Sequence, residues 1–246
     1  MRWGRGGGRV YRRKKHIKSV ICICVVKALR ALNFLNVCQL DLRSNIIADR
    51  VQDLAAVLLA CPRISVLNLE HNSLGDDGML NLSAALPHCT ALTTLLLGDN
   101  SVGTSGIALL AAALPRVPNL ATLGLGGNCI EDEGCRSVAA VLTSCSALTR
   151  LNLRRNNLSA LGATSLAAAL SQGKSLTNLT LSRNRLQAEG VAALSLSLPT
   201  CEALTALDLA STAIGDDGAR LLRSASISRS RLPKYLVSFT CIQGLF

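Results

Sequence analysis

Asparagine returns every 28 residues through most of this chain: Asn72, Asn100, Asn128, Asn156 and Asn184 are evenly spaced. Asn45 stands 27 residues before the first, and Thr212 stands 28 after the last. Counted from each of these, Leu, Ile or Val occupies positions minus eight, minus five, minus three and plus two. Around Asn128, for example, these are Leu120, Leu123, Leu125 and Ile130. The pattern LxxLxLxxNxL thus occurs seven times. A period of this length restricts the chain to a stacked array, because a single unit cannot bury its own apolar face without neighbours.

Each slot has a chemical reading. The L-x-L pair is a short strand whose alternate residues face inward. The asparagine falls where the chain leaves that strand. The amides of Asn45, Asn72, Asn100, Asn128, Asn156 and Asn184 are expected to satisfy backbone groups inside the turn and to stack as a ladder. Six residues later a glycine stands in each of the last six repeats, as at Gly106 and Gly162, and marks a close approach at the start of a helix. The polar pairs just before it, such as Asp76-Asp77 and Asp216-Asp217, are expected to cap the helix that follows. Alanine-rich stretches such as "GIALLAAAL" (106–114) read as that helix. Leu59, Leu86, Leu114, Leu142, Leu170 and Leu198 are expected to close the helices on the core side.

These motifs resemble the leucine-rich repeat superfamily in its ribonuclease-inhibitor-like subtype. They are similar to the repeats of ribonuclease inhibitor, of NOD-like receptors and of the Ran GTPase-activating protein. The resemblance covers residues 37–223 and implies an α/β solenoid, a right-handed horseshoe with a parallel β-sheet on the concave face and α-helices on the convex face. Around it, residues 1–18 read as a basic, disordered leader and 19–36 as a partial N-terminal repeat or capping helix. Residues 224–246 read as a degenerate further repeat, with Leu232, Tyr235, Val237, Thr240 and Ile242 on the repeat slots.

Composition agrees with a lattice of aliphatic residues. The chain is 49% hydrophobic, yet it holds one Trp, two Tyr and three Phe. Of its 26 Lys/Arg, ten fall in residues 1–40, which contain no acid. The remainder carries sixteen Lys/Arg against fifteen Asp/Glu, so the formal charge of +11 belongs to the leader and says nothing of nucleic-acid binding by the repeats. No stretch reaches the length of a membrane span. The ten cysteines show no disulfide or zinc spacing; Cys61, Cys89, Cys145 and Cys201 share one repeat slot and read as small apolar fillers. That usage suits a reducing, cytoplasmic setting, with nuclear or organellar targeting by the leader left open. No metal or cofactor is expected.

Function is expected on the outward strand residues, which in a solenoid line an extended binding surface. Early repeats offer Glu70, His71 and Asp99, the middle is smoothed by Gly98, Gly124, Gly126 and Gly127, and later repeats present Arg150, Asn152, Arg154, Arg155 and Arg183, with Asp208 placed to relieve the repulsion between Arg155 and Arg183. The reading is a non-enzymatic scaffold binding another protein, one whose acidic patch would suit the arginines. Nucleic acid is disfavoured by the lack of aromatic stacking platforms. The resemblance also admits a GTPase-activating protein of the Ran type, although no arginine-containing loop or asparagine of that activity can be matched here.

Overall fold

The computed structural model describes residues 37–45, 47 and 51–227. The leader, the segment 19–36 and residues 228–246 of the degenerate repeat lie outside the described residues. Seven three-residue strands run in chain order through one parallel sheet: β1 Gln39–Asp41, β2 Val66–Asn68, β3 Thr94–Leu96, β4 Thr122–Gly124, β5 Arg150–Asn152, β6 Asn178–Thr180 and β7 Ala206–Asp208. Between and after them lie α1 Val51–Ala60, α2 Gly75–Ala85, α3 Thr104–Ala113, α4 Glu131–Val141, α5 Ala160–Leu170, α6 Gln187–Ser197 and α7 Gly215–Ile227. Residue 223 lies inside α7, which runs to Ile227 at the end of the described residues.

The strands are aligned slot for slot, with Leu123 opposite Leu95 on one side and Leu151 on the other. The central leucine of every strand is buried, as are the leucine two residues after it and, in the interior repeats, the residue two after the asparagine. Together with the inner faces of the helices they form one continuous aliphatic core. Burial of apolar area of this kind is the main favourable term in folding. Small residues let adjacent helices meet: Ser83, Ala111, Ala139, Ala167 and Ser195 hold one slot and all are buried.

Two ladders tie the repeats together. Asn128 Oδ1 accepts from the backbone N–H of Asn100 and of Val102, both at 3.0 Å. Its Nδ2 donates to Leu97 O (3.0 Å) in the preceding repeat and to Leu125 O (2.9 Å) in its own. Asn100 and Asn184 bond in the same pattern to the repeat before and to their own turn. Thr212, at the same slot, donates to Leu209 O instead. The second ladder, at the strand starts, was not anticipated: Ser65, Thr93, Thr149, Thr177 and Thr205 each donate a hydroxyl to a carbonyl of the preceding repeat.

Two local expectations are corrected. Leu59 is 54% exposed, and its neighbour Leu58 takes the core slot. The missing residue of the 27-residue first repeat lies between Asn45 and α1, so Leu58, not Leu59, is 28 residues before Leu86. Second, the acidic residues at the helix starts do not cap their own helix. Asp76 Oδ1 accepts from Gly103 N (2.7 Å), and Asp132 Oδ1 accepts from Ser159 N (2.8 Å) and Gly162 N (3.0 Å), in each case one repeat further on. The glycines at the helix starts do mark the close approach expected of them. A Cβ on Gly106 would lie 2.5 Å from Asp76 Oδ1, and one on Gly162 would lie 2.6 Å from Asp132 Oδ1.

The cysteine slot follows the helix, where a short 3-10 turn such as Leu86–His88 or Leu198–Thr200 carries a proline that fixes the backbone. Cys89 and Cys201 are buried there, and Val117 takes the slot in the third repeat. Burial pushes the Cys89 thiol up to about 11, helped by nearby Cys61, and pushes Cys135 up to about 12, helped by Asp132. A thiol with a raised pKa holds little reactive thiolate at pH 8. Iodoacetamide at pH 8 should therefore label exposed Cys38 and Cys129 in the native protein and spare Cys89 and Cys135 until denaturant is added. Peptide mass mapping reads this directly; native labelling of Cys135 at the rate of Cys129 would contradict the filler role.

Candidate functional site

Because the middle residue of each strand points into the core, its two neighbours point out onto the concave face. Past each strand the chain continues in register for three more residues, since Leu97 N bonds Gly124 O (2.7 Å) and Asp99 N bonds Gly126 O (2.8 Å), and the other repeats follow suit. The face is thus a grid, with strands as columns and repeat slots as rows. The residue immediately before each asparagine closes the grid in the left-handed region: Ser44, His71, Asp99, Gly127, Arg155, Arg183 and Ser211 have φ from 53° to 73°. Six of these seven are not glycine, and each such residue carries a modest steric cost there. The turn is imposed by the ladder, so whatever side chain occupies the slot is held outward at the rim.

At the N-terminal end two side-chain contacts on this face join adjacent repeats. Arg43 Nη2 lies 2.6 Å from Glu70 Oε2, and His71 Nε2 lies 3.7 Å from Asp99 Oδ2. Glu70 and His71 thus have separate partners and do not act on each other. At the C-terminal end the arginines are exposed, and Arg150 Nε donates to Thr122 Oγ1 at 3.0 Å. Among the described residues no carboxylate oxygen lies within 4.0 Å of Arg150, Arg154, Arg155 or Arg183.

Asn152 and Asp208 serve the backbone. Asn152 Oδ1 accepts from Arg154 N and Asp208 Oδ1 from Ala210 N, both at 3.0 Å, and Asp41 and Asn68 make the same bond in their repeats. Asp208 therefore does not relieve the repulsion between Arg155 and Arg183 through an ion pair. The glycine-lined middle is also less bare than its composition suggests. Leu96 lies over Gly124, where a Cβ would come within 2.9 Å of Leu96 Cδ2, and the Asp99 carboxylate lies over Gly127, at 2.2 Å from a Cβ built there. Side chains of one column lean across the glycines of the next. That lean is a consequence of side-chain size, and slot counting alone does not reveal it.

A family model described as Leucine Rich repeat matches residues 60–83, 118–139, 144–167, 174–195 and 200–222. Each match runs from the end of one helix through the next strand and into the following helix, which is one period of the fold above. The chain is a leucine-rich repeat protein. Among solved structures, this leucine-rich repeat chain is similar to Leiomodin-1 actin-binding site 2, at 17% identity and TM-score 0.49, over 61% of this chain and 88% of that one. It is also similar to a TLR13–ssRNA13 complex, at 21% identity and TM-score 0.49, over 76% of this chain and 24% of that one. An internalin from Listeria monocytogenes follows at 17% identity and TM-score 0.31, over 83% and 81% of the two chains. Likenesses this distant carry no argument about ligand or partner. No curated protein matches the chain.

Among the described residues no group of three or more His, Cys, Asp or Glu is arranged to hold a metal ion, and no helix is long and apolar enough to cross a membrane.

Proposed function

We propose that this protein is a non-enzymatic scaffold that binds a partner protein on its concave face, with Arg150, Arg154, Arg155 and Arg183 at the centre of the contact. The observation that carries the reading is the electrostatic state of the sheet. In the early repeats Arg43 meets the Glu70 carboxylate and His71 faces Asp99, whereas the exposed arginines of repeats five and six meet no carboxylate among the described residues. Arg155 and Arg183 hold the same slot on adjacent columns, about 5 Å apart by strand spacing, and like charges opposed on a sheet are destabilising. The left-handed backbone is common to this slot in every repeat, so the opposed charges are what set this pair apart, and they favour a role outside folding. Arginine suits that role, because its planar fork pairs with carboxylates and it is enriched at interface centres.

Photo-crosslinking tests the reading. Benzoylphenylalanine placed at Asn178, exposed on β6, should crosslink a cellular protein. The same group at Ala140, exposed on the convex helix α4, should give no comparable product. Products from Ala140 alone would move the binding surface to the helices and sink the concave-face reading.

A further inference from the structure

The two charged rows of the sheet face are built in opposite ways at the two ends of the array. Two residues before the asparagine, Arg43 of the first repeat pairs with Glu70 of the second at 2.6 Å. One residue before it, His71 of the second repeat faces Asp99 of the third at 3.7 Å. Each contact joins the same slot of adjacent repeats. In repeats five and six those slots hold Arg154 beside Ser182 and Arg155 beside Arg183. Ser182 is buried and carries no charge, Arg183 carries the wrong one, and the three arginines are exposed.

We infer that the partner supplies the carboxylates that this pair of repeats lacks. An acidic segment of the partner protein lies over β5 and β6, and its Asp or Glu side chains take beside Arg154, Arg155 and Arg183 the places that Glu70 and Asp99 take in the early repeats. This inference rests on the concave face being the docking surface and adds the chemistry of what docks there. Arg155 and Arg183 are close enough, at about 5 Å between columns, to share one carboxylate in a forked contact. Arg150 lies four residues before Arg154, about 13 Å along the column, so a second acid of an extended segment is within its reach. A nucleic acid fits less well. None of the described residues is Phe, Tyr or Trp, so the described face offers no such ring on which a base can stack.

The experiment uses the full chain and fluorescence anisotropy of a labelled decapeptide of alternating Glu and Ser, with a Gln-for-Glu peptide and poly(U) as further arms. The Glu peptide should bind at least tenfold more tightly than the Gln peptide, and its affinity should fall as salt rises. Arg154→Gln/Arg155→Gln/Arg183→Gln should weaken binding at least tenfold. Arg116→Gln/Lys174→Gln, two exposed cations off the patch, should change it by less than twofold. The single change Arg183→Asp rebuilds the arrangement of His71 and Asp99 beside Arg155. It should weaken binding at least fivefold without lowering the melting temperature, and it decides the matter should the triple variant fold poorly. Equal binding of the Glu and Gln peptides, unchanged binding by Arg183→Asp, or tenfold tighter binding of poly(U) would each overturn the inference. A partner still crosslinked from Asn178 in the triple variant would overturn it too, yet leave the scaffold reading standing; loss of the Asn178 product from the unaltered protein would remove both.

Discussion

Asn128→Ala is expected to destabilise the protein by about 3–5 kcal/mol, because it strands two backbone N–H groups in the interior. It also removes one of the two amide donors from each of two carbonyls, Leu97 O and Leu125 O, which keep Asn100 Nδ2 and Asn156 Nδ2. The side chain is 4% exposed, and it bonds Asn100 N, Val102 N, Leu97 O and Leu125 O. Alanine offers none of these bonds, and no water has ready access to replace them. For a chain of this size the loss corresponds to a fall of about 10 °C or more in melting temperature. Asn128→Asp is an informative companion. It keeps the acceptor toward the two N–H groups but turns a carboxylate oxygen on Leu97 O and Leu125 O, so it should melt no higher than the alanine variant at pH 7. Asn45→Ala should cost less, since Asn45 is half-buried and solvent can reach its turn. Thermal denaturation followed by circular dichroism measures all three. Equal melting of Asn128→Ala and the unaltered protein would mean that the ladder contributes no net stability.

How the sequence foretold the ladder, and where it fell short, has a physical explanation. A repeat forces equal slots into equal environments, so Leu123 and Asn128 could be placed from their spacing alone. Translation by one repeat preserves both the inward direction and the backbone bond. Interactions between repeats are a different matter. The polar pairs at the helix starts read as caps of their own helices, yet the carboxylate of Asp132, which holds the slot of Asp76, reaches Ser159 and Gly162, 27 and 30 residues on. Nothing local to Asp132 announces that reach, which depends on how far apart adjacent helices sit. The threonine ladder has no sequence signature for a related reason. Threonine at a strand start is favoured by propensity alone, so the residue type at Thr93 and Thr149 does not reveal that their hydroxyls donate to carbonyls of the preceding repeat. On the candidate surface, Arg154, Arg155 and Arg183 were legible because alternation dictates which residues face out. The pairing of His71 with Asp99, the local bonds of Asn152 and Asp208, and the lean of Leu96 over Gly124 depend on side-chain rotamers and were not.

Asp132→Ala should destabilise the protein by about 2–3 kcal/mol, and the loss should fall on one interface. Its carboxylate accepts from two backbone N–H groups at the start of α5 and from the Ser159 hydroxyl. Ser159 Oγ in turn accepts from Leu161 N at 3.2 Å, so the acid orients the cap as well as joining it. Hydrogen bonds to a charged group contribute about 1.5–3 kcal/mol, and an anion at a helix start adds about 0.3–1 kcal/mol. Because Asp132 belongs to the fourth repeat and α5 to the fifth, the change weakens contact between repeats more than either repeat alone. In an array stabilised by nearest neighbours, such a weak joint lets the two sides unfold at different temperatures. Native-state hydrogen exchange should then show faster exchange at Leu161, Gly162 and the β5 amides, with β2 and β3 little changed. A double-mutant cycle makes the mechanism testable. Ser159→Ala should cost clearly less in the Asp132→Ala background than in the unaltered protein, since its hydroxyl is aimed by Asp132. Additive losses would instead show two independent caps. The joint also bears on function, because Arg150, Arg154 and Arg155 belong to the fifth repeat that it holds. If the fifth repeat is loosened while its arginines are intact, the Glu peptide should bind more weakly to Asp132→Ala near its first melting step, and equally well far below it.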